Sequence, residues 1–363
     1  MSGDFVYEAL PMRVVFRPGS STTAVAQEAE RLGLRRLLVL SGARGLGTAQ
    51  AVADSLGGSC VGVHPGAVMH VPVEVADEAV EVARKLDADG CVAVGGGSAI
   101  GLGKAIALRA GLPLIAVPST YAGSEMTPVW GLTEGGVKRT GRDPRVLPRS
   151  VVYDPELTLS MPPALSLTSA MNALAHAAEA LYAPDASPVI SLMAEEGVRS
   201  IAAALPAITA PPGAPGSAGG PRAQALYGAW LCGACLGATT MGLHHKLCHV
   251  LGGTFNLPHA ATHTVLLPYV LAFNSPATPA ASAALRRALG GVPDPAAELH
   301  SLARRLGAPR SLADLGLPPD GIARAAHLAA SAPYANPRPA SPDDLQAILT
   351  AAYDGAPPPP SGG

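Results

Sequence analysis

The sequence predicts an N-terminal α/β domain built on a parallel sheet, followed by an all-helical C-terminal domain. Short β-branched segments alternate with helical patterns up to about residue 155, which is typical of a parallel sheet covered on both faces. Beyond Asp154-Pro155 the chain is rich in Ala and Leu at helical spacing, with few β-branched segments. Its length of 363 residues is ample for a sizeable core in either part.

The strands of the first domain are expected at residues 13–16, 36–40, 90–94, 114–118 and 150–154. Each is a short apolar segment of the length typical of a strand. The segment 36–40 precedes a Gly-rich turn and a helix. The segment 90–94 precedes Gly95-Gly96-Gly97-Ser98 and a helix that should begin near residue 99 and contain Lys104. This domain is predicted to span residues 1–158.

The second domain is predicted to span residues 159–355 and to contain only helices. They are expected at about 163–183, 188–206, 222–242, 244–252, 279–289, 295–306, 320–331 and 342–353. The Pro- and Gly-rich segment 210–217 is predicted to be a loop, because the helical pattern resumes directly after it. The Pro-rich segment 356–363 is predicted to be a disordered tail.

Composition and charge exclude several classes of partner. The formal net charge of −2 gives no electrostatic basis for binding nucleic acid or an anionic bilayer. No signal-peptide pattern is visible, and no apolar segment reaches the ~18 residues of a membrane span. We therefore expect a cytoplasmic protein whose partner is a small molecule rather than a nucleic acid or a membrane.

The five cysteines are an odd number, which argues against a disulfide framework in a cytosolic chain. Cys232 and Cys235 have the spacing of a redox motif, but they lie in the apolar segment 229–236 without a second cysteine pair. We predict that they are small core residues where helices approach closely, rather than a redox or zinc site.

Two loops at predicted strand ends are candidates for a nucleotide site. Gly95-Gly96-Gly97-Ser98 would let the backbone approach a phosphate, with a helix N-terminus supplying N–H groups. Residues 118–127 begin at the carboxyl end of a parallel strand, the usual ligand edge of such a sheet, and carry several hydroxyls. The alternatives are a tight strand-to-helix turn for the first loop and a hydroxyl-stabilised turn for the second.

Histidines concentrate in the second domain. Asn172 and His176 are four residues apart, as are His245 and His249, so each pair projects from one helix face. The other members of the group are His244, Lys246 and His259. A single histidine at helical spacing is usually a core or surface residue. Five in this arrangement, beside a lysine, indicate a functional site.

Several segments together resemble the iron-containing, or group III, alcohol dehydrogenase family over about residues 10–353. They include Gly95-Gly96-Gly97-Ser98, Ser119-Thr120 through Gly123-Ser124-Glu125, Tyr153-Asp154-Pro155, residues 172–179, residues 245–249 and Leu257-Pro258-His259. Within that family, residues 121–128, 141–148 and 244–249 are most similar to the maleylacetate reductases. The resemblance implies a dehydroquinate synthase-like fold, with an α/β dinucleotide-binding domain and an all-helical catalytic domain, and a homodimer.

The resemblance also implies a nicotinamide cofactor on the two loops. The expected cofactor-binding residues are Gly95, Gly96, Gly97, Ser98, Ser119, Thr120, Tyr121 and Ser124. NADH is the expected cofactor. NADPH is the alternative, because Leu40 leads to Ser41-Gly42-Ala43-Arg44, and no acidic residue that would bind a ribose 2′-hydroxyl is obvious there.

In metal-containing members of the family, one Asp and three His bind the ion. The matching positions are Asn172, His176, His245 and His259, contributed by two helices and a loop. Asparagine is a neutral, weaker ligand than aspartate. The maleylacetate reductases are regarded as metal-independent, and Asn172 is the substitution expected of that group. We therefore expect no metal at this degenerate site, and a reaction that does not require one.

The reaction that the resemblance implies is reduction of the conjugated C=C of maleylacetate to 3-oxoadipate, in the breakdown of aromatic compounds. His249 or His245 would stabilise or protonate the enolate, and Lys246 with Arg142 or Arg139 would attract the carboxylates. Tyr121, Arg142 and His244 are the expected substrate residues, and His176, His259 and Asn172 complete the catalytic set.

Two alternatives to this function stay open from the sequence. Ala261 and Tyr269 depart from the reductase pattern close to the histidines. A homologue recruited to specialised metabolism, acting on another enone or catalysing a non-redox step, is therefore one alternative. A degenerate cofactor-binding or scaffold protein is the other.

Overall fold

The computed structural model describes residues 5–135, 137–211 and 219–360, which form two compact units. The sheet unit is Ala9–Met161, and the helical unit comprises the described residues of Met1–Glu8 and Pro162–Gly363. Most of the loop predicted at 210–217 lies outside the described residues, as do the last three residues of the predicted tail.

The sheet unit contains a sheet of six strands, which is parallel as predicted. Its strands are β1 (Arg13–Phe16), β2 (Leu37–Leu40), β3 (Cys60–His64), β4 (Gly90–Gly95), β5 (Leu114–Pro118) and β8 (Ser150–Tyr153). Their order across the sheet is β1-β8-β5-β4-β2-β3, and every pairing is parallel. The helices of this unit are α1 (Ser21–Arg31), α2 (Leu46–Leu56), α3 (Val73–Lys85) and α4 (Gly97–Ala110).

Three strands are absent from the sequence prediction. One is β3, whose central Gly62 weakens the strand pattern. The others form an antiparallel hairpin of β6 (Val129–Glu134) and β7 (Val137–Arg142). Charged residues and glycine interrupt the apolar alternation that would have revealed these two strands.

The helical unit contains helices throughout its described part, as predicted. They are α5 (Pro163–Ala180), α6 (Pro188–Ile208), α7 (Gly219–Ala238), α8 (Leu243–Phe255), α9 (His259–Asn274), α10 (Pro279–Ala288), α11 (Pro295–Arg305), α12 (Gly321–Ala330) and α13 (Pro342–Asp354). The prediction extended α7 to residue 242, but this helix ends at Ala238. Among the described helices, none alone is long and apolar enough to span a membrane; α7 and α8 pass that test only as a pair bent by 95°.

Helix α9 is the helix of this unit that the sequence did not predict. Its segment contains β-branched residues and Pro268, which lacks an N–H and crowds the preceding turn, so local propensity opposes a helix. Burial favours it, because every residue from Ala261 to Asn274 is buried. Asn256, which separates α8 from α9, adopts a left-handed conformation (φ 54°) that asparagine tolerates better than most residues.

The pair Cys232 and Cys235 lies in the core where α6 and α7 approach closely, as predicted. Both thiols are free and buried. A Cβ at Gly197 on α6 would lie 2.8 Å from Cys232 Sγ, and one at Gly228 on α7 would lie 2.9 Å from Gly197 O. Burial raises the pKa of Cys235 to about 12, which makes its thiol unreactive at neutral pH.

Candidate active site

The two predicted nucleotide loops begin side by side in the sheet unit. Gly95 pairs with Pro118 in the β4–β5 register, and the Ser119 backbone N–H donates to Gly95 O at 3.0 Å. A Cβ at Gly96 would lie only 2.9 Å from Thr120 Cγ2. Glycine at position 96 therefore allows the two loops to touch.

The first loop leads directly into α4, whose N-terminus has the properties of a phosphate site. Gly95 has φ 144°, which side-chain-bearing residues rarely adopt, and the helix begins at Gly97 rather than near residue 99. The N-cap residue is Gly96, which has no side chain to accept hydrogen bonds from the N–H groups of the first turn. These groups and the positive end of the helix dipole favour an anion.

A buried lysine on α4 holds the second loop, residues 118–127, through hydrogen bonds to its oxygens. Lys104 on α4 places Nζ 2.6–2.9 Å from four oxygens, Ser124 O, Thr127 O, Thr127 Oγ1 and Val129 O, among which its three N–H groups donate. The neighbouring Glu125 accepts the Tyr153 hydroxyl at 2.7 Å. Burial lowers the pKa of Lys104 to about 7, against the opposing charge of Glu125. Lys104 therefore supports the loop and does not line a phosphate site.

The predicted cofactor residues of the second loop differ in exposure. Ser119, Thr120 and Ser124 are half-buried, and Tyr121 is fully buried. Ser124 Oγ is buried and has no hydrogen-bond partner among the described residues. An unsatisfied hydroxyl in the loop whose Thr120 contacts Gly96, the N-cap of α4, fits a bound nicotinamide dinucleotide.

The two arginines predicted to attract substrate lie on the β7 strand. Arg139 pairs with Glu134 across the hairpin at 3.1 Å, so its charge is already partly compensated. Arg142 is exposed at the end of the strand. Both predicted arginines therefore lie on one strand of the hairpin.

In the helical unit, four polar side chains of α5 and α8 form one hydrogen-bonded series. Asn172 Nδ2 lies 3.2 Å from His176 Nε2, and His176 Nδ1 lies 2.8 Å from His245 Nε2. His245 Nδ1 lies 2.5 Å from Glu179 Oε2. Asn172, His176, Glu179 and His245 are all buried.

The carboxylate at one end determines where the protons of this series lie. Because a carboxylate only accepts, His245 Nδ1 carries a proton and donates it to Glu179. With neutral rings, His245 Nε2 then accepts from His176 Nδ1–H, and His176 Nε2 accepts from the Asn172 amide. The asparagine thus supplies the donor that the last ring nitrogen requires.

Glu179 belongs to this site, although its role was not predicted from the sequence. Besides His245 Nδ1, its carboxylate accepts the backbone N–H groups of Gly242, His244 and His245, at 3.1, 2.8 and 3.3 Å. It therefore caps the N-terminus of α8 from another helix. Burial alone would raise the pKa of Glu179, but the hydrogen bond from His245 and the charges beside it lower this pKa to about 2.

A second pair of imidazoles lies on α8 and α9. His244 Nε2 and His263 Nδ1 are 2.9 Å apart, and both residues are fully buried. Burial lowers the pKa of His244 to about 3 and that of His263 well below its ordinary value, so both rings are neutral. His263 was not predicted as a site residue. Its spacing, four residues after His259, places both histidines on one helix face, but only if this segment is known to be the helix α9.

The remaining predicted residues lie at the more accessible side of the cluster. His249 is exposed and His259 is half-buried, and their rings stack with centroids 6.3 Å apart. His259 is the first residue of α9, so the expectation of a loop ligand is wrong: α5, α8 and α9 contribute the set. Lys246 is half-buried on α8, where it follows His245 on the next helical face.

The four positions matching the family's metal ligands do not fit a metal ion in this structure. His176 Nδ1 is hydrogen-bonded to His245 Nε2, and the Asn172 amide donates to His176 Nε2, so both nitrogens of the His176 ring are engaged with protein groups. The donor set also carries no negative charge to offset that of the ion. Among the described residues, ligand atoms within 4.8 Å of one another occur instead at His244, Cys248 and His263.

Sequence profiles identify the family. The profile described as iron-containing alcohol dehydrogenase matches residues 11–155, and that of the Fe-containing alcohol dehydrogenase family, C-terminal, matches residues 166–353. The chain belongs to this family. It is therefore an oxidoreductase of the nicotinamide-dependent dehydrogenase type, with the predicted fold class confirmed.

One relative and two solved structures are similar to this chain over nearly its whole length. The maleylacetate reductase of Sphingobium indicum is 54% identical over 354 residues, which cover 98% of this chain and 99% of the relative. The crystal structure of a putative alcohol dehydrogenase from Ralstonia eutropha JMP134 has a TM-score of 0.95 at 56% identity, covering 99% and 100% of the two chains. That of maleylacetate reductase from Agrobacterium tumefaciens has a TM-score of 0.92 at 52% identity, covering 98% and 99%.

Proposed function

We propose that the protein reduces the conjugated C=C of maleylacetate to 3-oxoadipate with a nicotinamide dinucleotide. The observation that carries the proposal is the 54% identity, over nearly the whole chain, to a maleylacetate reductase. The hydrogen-bonded series that ends in Asn172 supports it, because an uncharged amide rather than a carboxylate stands at position 172, which suits an anionic substrate. No observation favours the alternatives of another enone, a non-redox step or a scaffold.

The cofactor would be held by the β4 and β5 loops, with its phosphates at the N-terminus of α4. When bound, NADH supplies a hydride to the alkene carbon farther from the ketone, which leaves an enolate for the protein to stabilise and protonate. Gly95, Gly96 and Gly97 give the backbone room, and Ser98 with the hydroxyls of Ser119, Thr120 and Ser124 would bind the polar groups. We expect NADH, with NADPH as the alternative cofactor.

The charge of the substrate gives Asn172 its role. Maleylacetate carries two carboxylates, and an aspartate at position 172 would repel a carboxylate about 4 Å away by roughly 4 kcal/mol at an effective dielectric of about 20. Asparagine removes that repulsion and holds His176 through its amide donor. The site would therefore operate without a metal ion.

The hydrogen bonds distinguish the two candidate proton donors. Both ring nitrogens of His245 are hydrogen-bonded, one to His176 and one to Glu179, so neither nitrogen is available to donate a proton to the substrate. His249, which lies on the accessible side, is therefore our candidate for protonating the enolate carbon. Lys246 and Arg142 would attract the carboxylates, with Tyr121 as a further substrate residue. The protein would act as a cytoplasmic homodimer.

Consumption of NADH with freshly prepared maleylacetate, with and without a strong chelator, tests this function. We expect NADH oxidation coupled to 3-oxoadipate formation, unchanged after the chelator is added and removed. Absence of turnover would contradict the proposed substrate. Turnover that the chelator abolishes and a divalent metal restores would contradict the metal-free site while leaving the substrate in place.

A further inference from the structure

The His244–His263 pair has two hydrogen-bonding groups that no described residue satisfies. The pair uses His244 Nε2 and His263 Nδ1. The opposite nitrogens, His244 Nδ1 and His263 Nε2, are buried and have no hydrogen-bond partner among the described residues. Such a group costs about 1–3 kcal/mol when nothing satisfies it. Two at one place suggest that a ligand completes the pair.

The proton arrangement of the pair limits what that ligand can be. The two rings share one proton along the 2.9 Å contact between their nitrogens. If it belongs to His244 Nε2, then His263 Nδ1 accepts and His263 Nε2 must carry its own proton. The pair then presents an N–H donor at His263 Nε2, which an anionic oxygen would accept.

The location of His263 indicates which ligand this is. Its ring centroid is 4.4 Å from that of His259, 4.8 Å from His245 and 5.9 Å from His176. It therefore lies among three histidines of the proposed catalytic set. His300 provides the contrast: its Nε2 is also buried without a partner among the described residues, but its ring packs against Tyr269.

A metal ion on His244, Cys248 and His263 is the competing explanation. Two nitrogens bound to a tetrahedral zinc at 2.0–2.1 Å lie about 3.3 Å apart, longer than the 2.9 Å between these rings. Cys248 Sγ lies 3.7 Å from His244 Nε2, which suits a thiol contact. Burial also raises the pKa of Cys248 well above 9, which opposes the thiolate that zinc requires. The geometry is that of hydrogen-bonded rings.

We propose that His263 is a substrate-binding residue whose Nε2–H donates to an anionic oxygen of the substrate, with His244 as the positioning residue that sets its proton. This inference rests on the proposed function. The anionic oxygen is either a carboxylate, present throughout the reaction, or the enolate oxygen that forms after hydride transfer.

Three variants test the inference kinetically. His263→Phe removes the donor and keeps a ring, His263→Gln restores an N–H near the Nε2 position, and His300→Phe removes an unsatisfied buried nitrogen outside the cluster. For H263F we expect kcat/KM for maleylacetate to fall about 10- to 100-fold, with the NADH dissociation constant unchanged. H263Q should recover to within about threefold of the wild type, and H300F should change kcat/KM by less than about twofold.

Whether the loss in H263F appears in KM or in kcat shows which substrate oxygen accepts from His263. A loss confined to KM indicates a carboxylate, and a loss in kcat indicates the enolate. If H263F behaves like H300F, or if H263Q is as impaired as H263F, the inference is overturned. Stoichiometric zinc in the purified protein that disappears in Cys248→Ser would overturn it as well.

A second measurement separates this inference from the proposed function. Nitrogen-15 NMR of histidine-labelled wild type, with the His263 signal assigned by its absence in H263Q, reports the Nε2 environment without turnover. If maleylacetate is not turned over, the proposed function fails. Maleate then decides about His263: a shift of its Nε2 signal on titration supports the donor role, and an unchanged signal at saturation overturns it.

Discussion

The site in the sheet unit is built mainly from backbone, whereas the site in the helical unit is built from side chains. In the sheet unit, Gly95 and Gly96 clear space at a helix N-terminus. In the helical unit, Asn172, His176 and Glu179 meet His245 in a buried hydrogen-bonded series. A substitution in the first site should act by occupying space, and one in the second by leaving buried donors unsatisfied. The two sites should therefore fail in different ways.

The largest effect is expected at Glu179. Glu179→Ala removes the acceptor for His245 Nδ1–H and for three backbone N–H groups at the start of α8. We expect the free energy of unfolding to fall by about 3–5 kcal/mol, measured by urea unfolding. The control is Glu196→Ala, which removes a surface carboxylate paired with Arg199 and should cost less than about 1 kcal/mol. Similar losses in both variants would remove Glu179 from its capping role.

The next largest effect is expected at Gly96 in the sheet unit, where a substitution should weaken NADH binding without lowering the free energy of unfolding. In Gly96→Ala the new Cβ would lie 2.9 Å from Thr120 Cγ2 and would push the two loops apart. We expect the NADH dissociation constant to rise roughly 30-fold, or about 2 kcal/mol, in a fluorescence titration. Gly58→Ala, where nothing lies within 4 Å of the added carbon, is the matched control. Unchanged NADH affinity in G96A would show that the loops do not need this contact for binding.

Lys104 provides a test of the sheet unit through pH. Burial lowers the pKa of Lys104 to about 7 in the folded protein, from 10.5 in the unfolded chain. Between these values the unfolded state binds more protons, so this residue's contribution to stability increases with pH, by up to about 1.4 kcal/mol per unit. The Lys104→Met variant lacks this contribution.

The quantity compared is the difference in unfolding free energy between wild type and K104M. The buried cysteines contribute equally to the pH dependence of both proteins, so their contribution cancels in this difference. We expect the difference in unfolding free energy, measured with urea between about pH 7.5 and about pH 9.5, to change in favour of the wild type as pH rises. A difference independent of pH would mean that the four oxygens around Nζ keep the ammonium charged in the folded state.

The contrast also explains how much the sequence could predict. Gly95–Ser98 is a local motif, and a strand, a turn and a helix within a few residues were enough to place it. Asn172 with His176, and His245 with His249, follow from helical spacing alone. Glu179 as a cap and His263 as a cluster member depend on contacts between helices, which no local pattern encodes. His263 was hidden further because α9 forms against its local propensity, through burial.

Tyr269 should show the smallest effect, and it tests whether a departure from the subfamily's sequence pattern alters the substrate. The Tyr269 hydroxyl donates to Ala356 O at 2.7 Å, and its ring packs against that of His300 on α11. Tyr269→Phe removes one hydrogen bond and should lower the free energy of unfolding by about 1 kcal/mol. Because the hydroxyl and the ring of Tyr269 are engaged with Ala356 and His300, kcat/KM for maleylacetate should stay within about twofold of the wild type. A change in preference among enone substrates would instead place this residue in the site, and would reopen the question of which enone the protein reduces.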